Sequence, residues 1–207
     1  MQVLTFREST PITGPVTKFG GQPVWIDAPA WPLSRSTGRP MRFIGQAALP
    51  EAFVAGGRRM AYFFMTNDAD DYVDGTWEAE GGENAVILQP GPFEPIVDVA
   101  PVDTGPTLQK AVDDPASPRR TFADVELAVD LVEMDPASDE ANLNLSQWLG
   151  EPRWLQSEEV PAGGPWRFLM QIDSNSDSYV VNFGDAGVAY VFVAEDGSAA
   201  RFLWQCC

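Results

Sequence analysis

Asp173, Asn175 and Asp177 stand at alternate positions in Asp173-Ser174-Asn175-Ser176-Asp177, the spacing at which a calcium loop offers its first side-chain oxygens to a hard cation. The rest of the pattern departs from that chemistry. Ser178 fills the sixth position, where glycine makes the turn, and Gly184 the twelfth, where a bidentate glutamate is needed. The segment therefore reads as a polar loop whose Asp and Ser side chains satisfy nearby backbone donors, and no metal is expected. Asp185, in Asn182-Phe183-Gly184-Asp185-Ala186-Gly187, would meet Asp173 across a hairpin. Two close carboxylates share a proton or hold a cation, whereas the competing reading has Asp185 capping a turn whose glycines take positive φ.

A second set of polar residues recurs in pairs. Pro40-Met41-Arg42-Phe43-Ile44-Gly45-Gln46 and Pro165-Trp166-Arg167-Phe168-Leu169-Met170-Gln171 carry Arg, Phe and Gln at the same spacing. Strand alternation puts Met41 and Phe43 on one face and Arg42, Ile44 and Gln46 on the other. In the later segment Trp166, Phe168, Met170 and Ile172 share one face, opposite Arg167, Leu169, Gln171 and Asp173. Matching Arg and Gln side chains would then line a symmetric polar cleft between the copies, a setting for a small ligand or a reaction; the alternative is a repeat that preserved packing and sheet-edge hydrogen bonds. Trp25 and Trp154 read as core aromatics, or else as stacking platforms. Cys206 and Cys207 supply half a zinc site at most and read as a strand end. Phosphate-loop, dinucleotide and serine-hydrolase signatures are missing from the sequence. No catalytic residue is assigned and no cofactor is expected.

The elements that position these residues are themselves duplicated. Gly21-x-Pro23-x-Trp25-Ile26, with Pro32 and then Pro40-x-Arg42-Phe43-Ile44-x-Gln46, matches Gly150-x-Pro152-x-Trp154-Leu155, with Pro161 and then Pro165-x-Arg167-Phe168-Leu169-x-Gln171. Both copies then reach an apolar stretch, Ala61-Tyr62-Phe63-Phe64 and Ala189-Tyr190-Val191-Phe192. One domain over 1–207 is expected, with repeat one at about 16–90 and repeat two at about 146–207, joined by a loop and strand segment, 91–145. The fold class predicted is α+β and β-rich: two similar antiparallel-sheet units packed face to face, with a few short helices, because a repeat of this size needs its copy to cover its apolar face.

Local signals fill in the rest. Residues 49–55 read as a short helix, 60–65 as a strand buried on both faces, 67–74 as an acidic loop, and 85–89 and 96–99 as further strands. Residues 103–120, rich in Gly, Pro, Asp and Ser, read as a surface loop. Val125, Leu127, Val129 and Leu131 alternate as in a strand with one wet face. Ser138 would open a helix carrying Leu143, Leu145, Trp148 and Leu149. The final hairpin joins 188–194 to 199–205 around Asp196-Gly197.

Composition narrows the function classes. The chain has 207 residues, 44% of them apolar, with 7 Trp, 12 Phe, 18 Gly and 18 Pro, which favours strands joined by many turns and excludes disorder. It contains no histidine, so Ser-His and Cys-His nucleophile pairs and the usual proton shuttle are ruled out. Thirty acidic residues against thirteen basic give a net charge of −17. That field repels nucleic acid and anionic lipid and attracts a basic protein partner. Adjacent cysteines pair only through a strained ring, which points to a reducing compartment. The first residues lack a secretion pattern, and no apolar run approaches the roughly 18 residues of a membrane span, so a cytoplasmic location is expected.

Lys18-Phe19-Gly20-Gly21-x-Pro23, Trp31-Pro32, Phe43-Ile44-Gly45-Gln46 and Tyr62-Phe63-Phe64 in the first half belong to a wider pattern. It continues with Trp148-Leu149-Gly150-Glu151-Pro152, Leu155-Gln156, Leu169-Met170-Gln171-Ile172-Asp173-Ser174, Gly184-Asp185-Ala186-Gly187 and Gln205-Cys206 in the second. Together they resemble the YwqG-like bacterial family, whose biochemical role is undetermined, over nearly the whole chain. Phe183 stands where that family usually has Trp. The resemblance implies an α+β fold with internal duplication and an association with bacterial toxin systems. The Gly-Gly-x-Pro-x-Trp and Phe-x-x-Gln pattern is also similar to the programmed-cell-death-two family, whose relatives chaperone a ribosomal protein, although that family's cysteine pairs are missing. Both resemblances imply protein binding, hence an expected non-enzymatic module such as an immunity protein or dedicated chaperone. The alternative is an enzyme or a small-ligand or metal-binding protein using the cleft between the repeats.

Overall fold

Apolar residues at alternate positions, punctuated by Gly and Pro, build strands, and fourteen are present in the computed structural model, which describes residues 1–66, 73–92, 95–113, 117, 120–138 and 145–207. They are β1 (Gln2–Glu8), β2 (Lys18–Gly20), β3 (Trp31–Pro32), β4 (Arg42–Ala48), β5 (Met60–Met65), β6 (Asn84–Gln89), β7 (Val99–Ala100), β8 (Gln109–Val112), β9 (Thr121–Asp124), β10 (Glu126–Glu133), β11 (Gln147–Trp148), β12 (Trp166–Asp173), β13 (Val188–Ala194) and β14 (Ala200–Gln205). Ten of them form one antiparallel sheet in the order β14-β13-β12-β11-β1-β10-β2-β4-β5-β6. The pairs β3-β7 and β8-β9 stand apart as small two-stranded sheets.

The expected α+β class is corrected by this architecture: the chain is nearly all β. The predicted helix at 49–55 is a 3-10 turn at Glu51–Phe53, followed by another at Ala55–Gly57. Gly56 and Gly57 both take positive φ there, so the helix cannot continue. The predicted helix after Ser138 fails where it can be seen. Gln147–Trp148 is a strand and Leu149 has φ 58°, while residues 139–144 lie outside the described residues. Likewise the surface loop expected over 103–120 contains β8, whose Gln-Lys-Ala-Val carries no alternation to betray it. Most of the acidic loop, residues 67–72, falls outside the described residues. No helix among the described residues is long and apolar enough to cross a membrane.

The picture of two sheets packed face to face is corrected as well. A single sheet curls into a nearly closed barrel, and its two outermost strands, β6 and β14, come to lie beside each other. The cause is an exchange. β1 precedes the first repeat in sequence yet pairs with β11 of the second, and β10 precedes the second yet pairs with β2 of the first. β1 and β10 pair with each other along their lengths, from Gln2↔Glu133 to Glu8↔Leu127, and fuse both halves into one ladder.

Three apolar clusters follow. The barrel interior draws on both halves: Leu4, Phe19, Ile44, Phe63, Leu127, Leu169, Met170, Ile172, Val191 and Phe202 are buried there. Outside the barrel, Trp31, Met41, Phe43, Tyr62 and Phe64 form a cluster on the first half. Phe168, Val188, Tyr190, Phe192 and Leu203 form its counterpart on the second. β5 and β13 are thus apolar on both faces because each separates two cores.

Candidate functional site

Pro23 and Pro152 keep the chain extended as it leaves β2 and β11 and crosses the outer face of each half. Such a segment has no strand beside it, so its backbone groups need side-chain partners. The first half supplies three. Gln46 accepts from the Val24 N–H at 2.8 Å and donates to the Val16 carbonyl at 2.9 Å. The Tyr62 hydroxyl accepts from the Ile26 N–H at 3.1 Å and donates to the Val24 carbonyl at 2.8 Å. Gln89 accepts from the N–H groups of Ile26 and Asp27 and donates to the Ala28 carbonyl.

The second half repeats the arrangement. Gln171 accepts from the Arg153 N–H at 3.0 Å and donates to the Leu145 carbonyl at 2.8 Å. Tyr190 accepts from Leu155 at 3.0 Å and donates to Arg153 at 2.9 Å. Gln205 accepts from Gln156 and donates to Ser157. The tryptophans close each strap. Trp25 lies 4.7 Å from Tyr62 and stacks on Phe64 at 6.1 Å, and Trp154 lies 4.5 Å from Tyr190 and stacks on Phe192 at 6.0 Å. Burial raises the Tyr62 phenol well above its ordinary value and pushes that of Tyr190 up to about 12, so both remain neutral hydrogen-bonding groups rather than acids.

Arg42 and Arg167 do not join their glutamines. Each strand carries a bulge, between Phe43 and Gly45 in β4 and between Phe168 and Met170 in β12. The extra residue flips the alternation, so Gln46 and Gln171 lie opposite Tyr62 and Tyr190 on the outer face. Arg42 and Arg167 lie opposite Met65 and Val193, on the barrel side. The face assignment read from the sequence is corrected accordingly: Met170 and Ile172 join Leu169 inside, away from Phe168. Arg167 donates to the Ala52 carbonyl and stands 5.7 Å over the Phe53 ring.

Asp173 is buried beside Tyr179. Its N–H donates to Ser146 Oγ at 3.0 Å, its carbonyl accepts from the Tyr179 hydroxyl at 2.6 Å, and its carboxylate accepts from the Asn175 N–H at 3.0 Å. Burial raises that carboxyl. The bond to Asn175 closes a local turn, as do those from Ser178 N–H to Ser176 Oγ and from Gly184 N–H to Asn182 Oδ1. Asp185 is exposed on the following turn, where its carbonyl accepts from the Cys207 N–H. Among the described residues no group of three or more His, Cys, Asp or Glu is placed to hold a metal ion.

Sequence reasoning missed Tyr62, Tyr190, Gln89 and Gln205. Extending the internal alignment would have found them, since both tyrosines follow Ala in the matched apolar stretch and both glutamines close the last strand of their half. It also missed the charges that sit inside. Lys18, 1% exposed, is paired with Glu126 of β10. Arg58 donates to the Gly197 carbonyl across the barrel seam and to those of Pro90 and Pro92 just after β6. Burial favours the neutral form of Glu83, but hydrogen bonds from Thr66, Ser34 and Ser36 outweigh it and hold the carboxyl below its usual range.

None of the curated proteins compared with the chain matches it in sequence. Residues 17–206 match a family described as Domain of unknown function (DUF1963), a span that starts beside Lys18, takes in both straps and ends at Cys206. With both halves and both sets of latching side chains inside that match, the chain belongs to the DUF1963 family.

Proposed function

We propose that the chain is a non-enzymatic, cytoplasmic protein-binding module whose acidic surface engages a basic protein, as an immunity protein or a dedicated chaperone does. The observation that carries this reading is the uneven use of charge. Two of the cations are buried and engaged, Lys18 paired with Glu126 and Arg58 bound to the carbonyls of Gly197, Pro90 and Pro92. Glu8, Asp130 and Glu133 are exposed, and the sequence has no Lys or Arg from Met60 to Gln109 or from Thr121 to Pro152. The net charge of −17 is thus spread unevenly along the chain, and an acidic field of this kind speeds the encounter with a cationic protein. The glutamines and tyrosines matched between the repeats are engaged in fastening the straps, which supports a scaffold over a reaction centre. The likeness to the YwqG-like and programmed-cell-death-two families points the same way.

Affinity capture from the native cell at low and at raised salt tests the reading. A basic protein retained at low salt and released at raised salt is the expected result. Recovery of no basic protein under either condition overturns it.

A further inference from the structure

The ladder of β10 is incomplete. Its pairing with β2 ends at Ala128↔Lys18, yet the strand runs on to Glu133 with only β1 beside it among the described residues. Met134 N–H donates to the Met1 carbonyl and Ser9 N–H to the Glu126 carbonyl, which sets the parity: even-numbered residues of β10 turn their backbone groups toward β1. The N–H and C=O of Leu131 and Glu133 therefore point the other way, and among the described residues no backbone or side-chain partner meets them. The side chains are correspondingly open, with Leu131 48% and Val132 47% exposed, and those of Asp130 and Glu133 61% and 73% exposed.

The pseudo-symmetric half shows the same position covered. Val3 faces Gln147 as Ala128 faces Lys18, and Gln147 and Lys18 in turn face Gln171 and Gln46, so Phe6 of β1 is the counterpart of Leu131. Phe6 is half-buried, its ring 5.1 Å from Tyr179 and 5.0 Å from Phe19. Leu131 has no such roof among the described residues.

We infer that the outer edge of β10, Val129–Glu133, is a docking strand for an extended basic segment of a protein partner, which adds itself to the ladder through the N–H and C=O of Leu131 and Glu133. This rests on the proposed acidic-module reading and names its surface. Edge strands invite a further strand unless blunted by lysine, proline or a bulge, and strand addition draws affinity from the main chain and selectivity from alternate side chains. Val129-Asp130-Leu131-Val132-Glu133 has no such blunting residue, and its charges are acidic. The Arg7–Asp130 contact at 3.6 Å joins two exposed groups, and an incoming lysine displaces it. No Lys or Arg lies between Thr121 and Pro152 to repel a cationic strand.

Amide exchange of the labelled full chain tests the inference, with a short peptide alternating lysine with valine as the probe and its glutamate counterpart as the control. In the free chain the Leu131 and Glu133 amides should exchange freely while Asp130 and Val132 are protected. The lysine peptide should slow Leu131 and Glu133 by about tenfold or more at saturation, and the glutamate peptide should not. Leu131→Pro removes an outward N–H only, so it should keep the fold and lose the peptide, whereas Val132→Pro breaks the bond to β1 and should unfold the ribbon. Should Leu131→Pro itself not fold, Asp130→Lys with Glu133→Lys supplies the second variant and should exchange the preference from the lysine to the glutamate peptide. Protection of Leu131 and Glu133 in the free chain overturns the inference, as does equal peptide binding by Leu131→Pro. If salt-sensitive capture of a basic protein persists in Leu131→Pro, the edge is the wrong surface and the acidic-module reading stands; if the wild-type chain captures none, that reading falls with it.

Discussion

Tyr62→Phe and Tyr190→Phe remove the same atom from equivalent places and are nonetheless expected to cost different amounts. At Tyr190 the hydroxyl is the acceptor for the Leu155 N–H at 3.0 Å, and it donates to the Arg153 carbonyl. Its loss strands a partly buried donor and weakens one carbonyl, for about 2–3 kcal/mol. At Tyr62 the Ile26 N–H keeps a second acceptor, Gln89 Oε1 at 3.2 Å, so only the Val24 carbonyl loses its donor, for about 1 kcal/mol. The phenylalanine rings retain the tilted ring contacts with Trp25 and Trp154, so packing does not confound the comparison. The two latches share no hydrogen-bond partner, and the double variant should lose the sum of the two within about 0.5 kcal/mol. Urea unfolding followed by circular dichroism gives all three values. Equal costs, a larger cost at Tyr62, or a coupling beyond about 0.5 kcal/mol would refute the picture of two independent straps, and coupling in particular would restore a shared cleft.

Gly20→Ala should destabilise by about 3 kcal/mol or more, because a Cβ there would sit 2.0 Å from the Val125 carbonyl oxygen on a backbone with φ +65°; a melting temperature close to that of the wild type would refute it. Lys18→Met leaves the partly buried Glu126 without its cation and should cost about 3 kcal/mol, while Lys18→Met with Glu126→Leu should recover part of it, the Ile12 N–H then losing its acceptor, and a double variant as unstable as the single one refutes the pairing. In alkali, burial keeps the phenols of Tyr62, Tyr179 and Tyr190 protonated where an unfolded chain has lost those protons. Stability should therefore be level below about pH 10 and fall from there through about pH 12, by at most about 1.4 kcal/mol per pH unit per tyrosine. Phenolate absorbance should rise together with the loss of circular dichroism, and free titration of these groups near pH 10 in a folded chain refutes it.

Sequence comparison of the halves located Gln46, Gln171, Trp25 and Trp154, because each latch is built from residues whose order survives duplication. It could not locate the bulges. Gly45 hints at one, but Met170 occupies the equivalent place in β12 without any glycine, and one extra residue sends every later side chain to the opposite face. Plain alternation therefore groups Arg42 and Arg167 with glutamines from which the sheet separates them. The helices failed for a local reason, since Glu51-Ala52-Phe53 turns once and then meets Gly56-Gly57. Lys18–Glu126 and the β1–β10 ribbon stayed hidden for a distant one: their partners lie more than a hundred residues apart, and only the finished topology brings them together.

The same topology explains why an acidic edge is left bare among the described residues. Exchange requires long strands at the pseudo-dyad, and β1 and β10 have seven and eight residues, but the strands that flank them, β11 and β2, have only two and three. Each exchanged strand must therefore outrun its outer neighbour. On β1 the excess is roofed by Tyr179, which the second half carries between β12 and β13. The first half has the two 3-10 turns in the corresponding connection, and one of them places Phe53 under Arg167 at the far side of the barrel instead. The duplicated scaffold is thus symmetric in its straps and asymmetric in its cover. The uncovered side is the one whose sequence keeps Asp130 and Glu133 and excludes lysine, which is where a cationic strand finds both the backbone groups and the charge it needs.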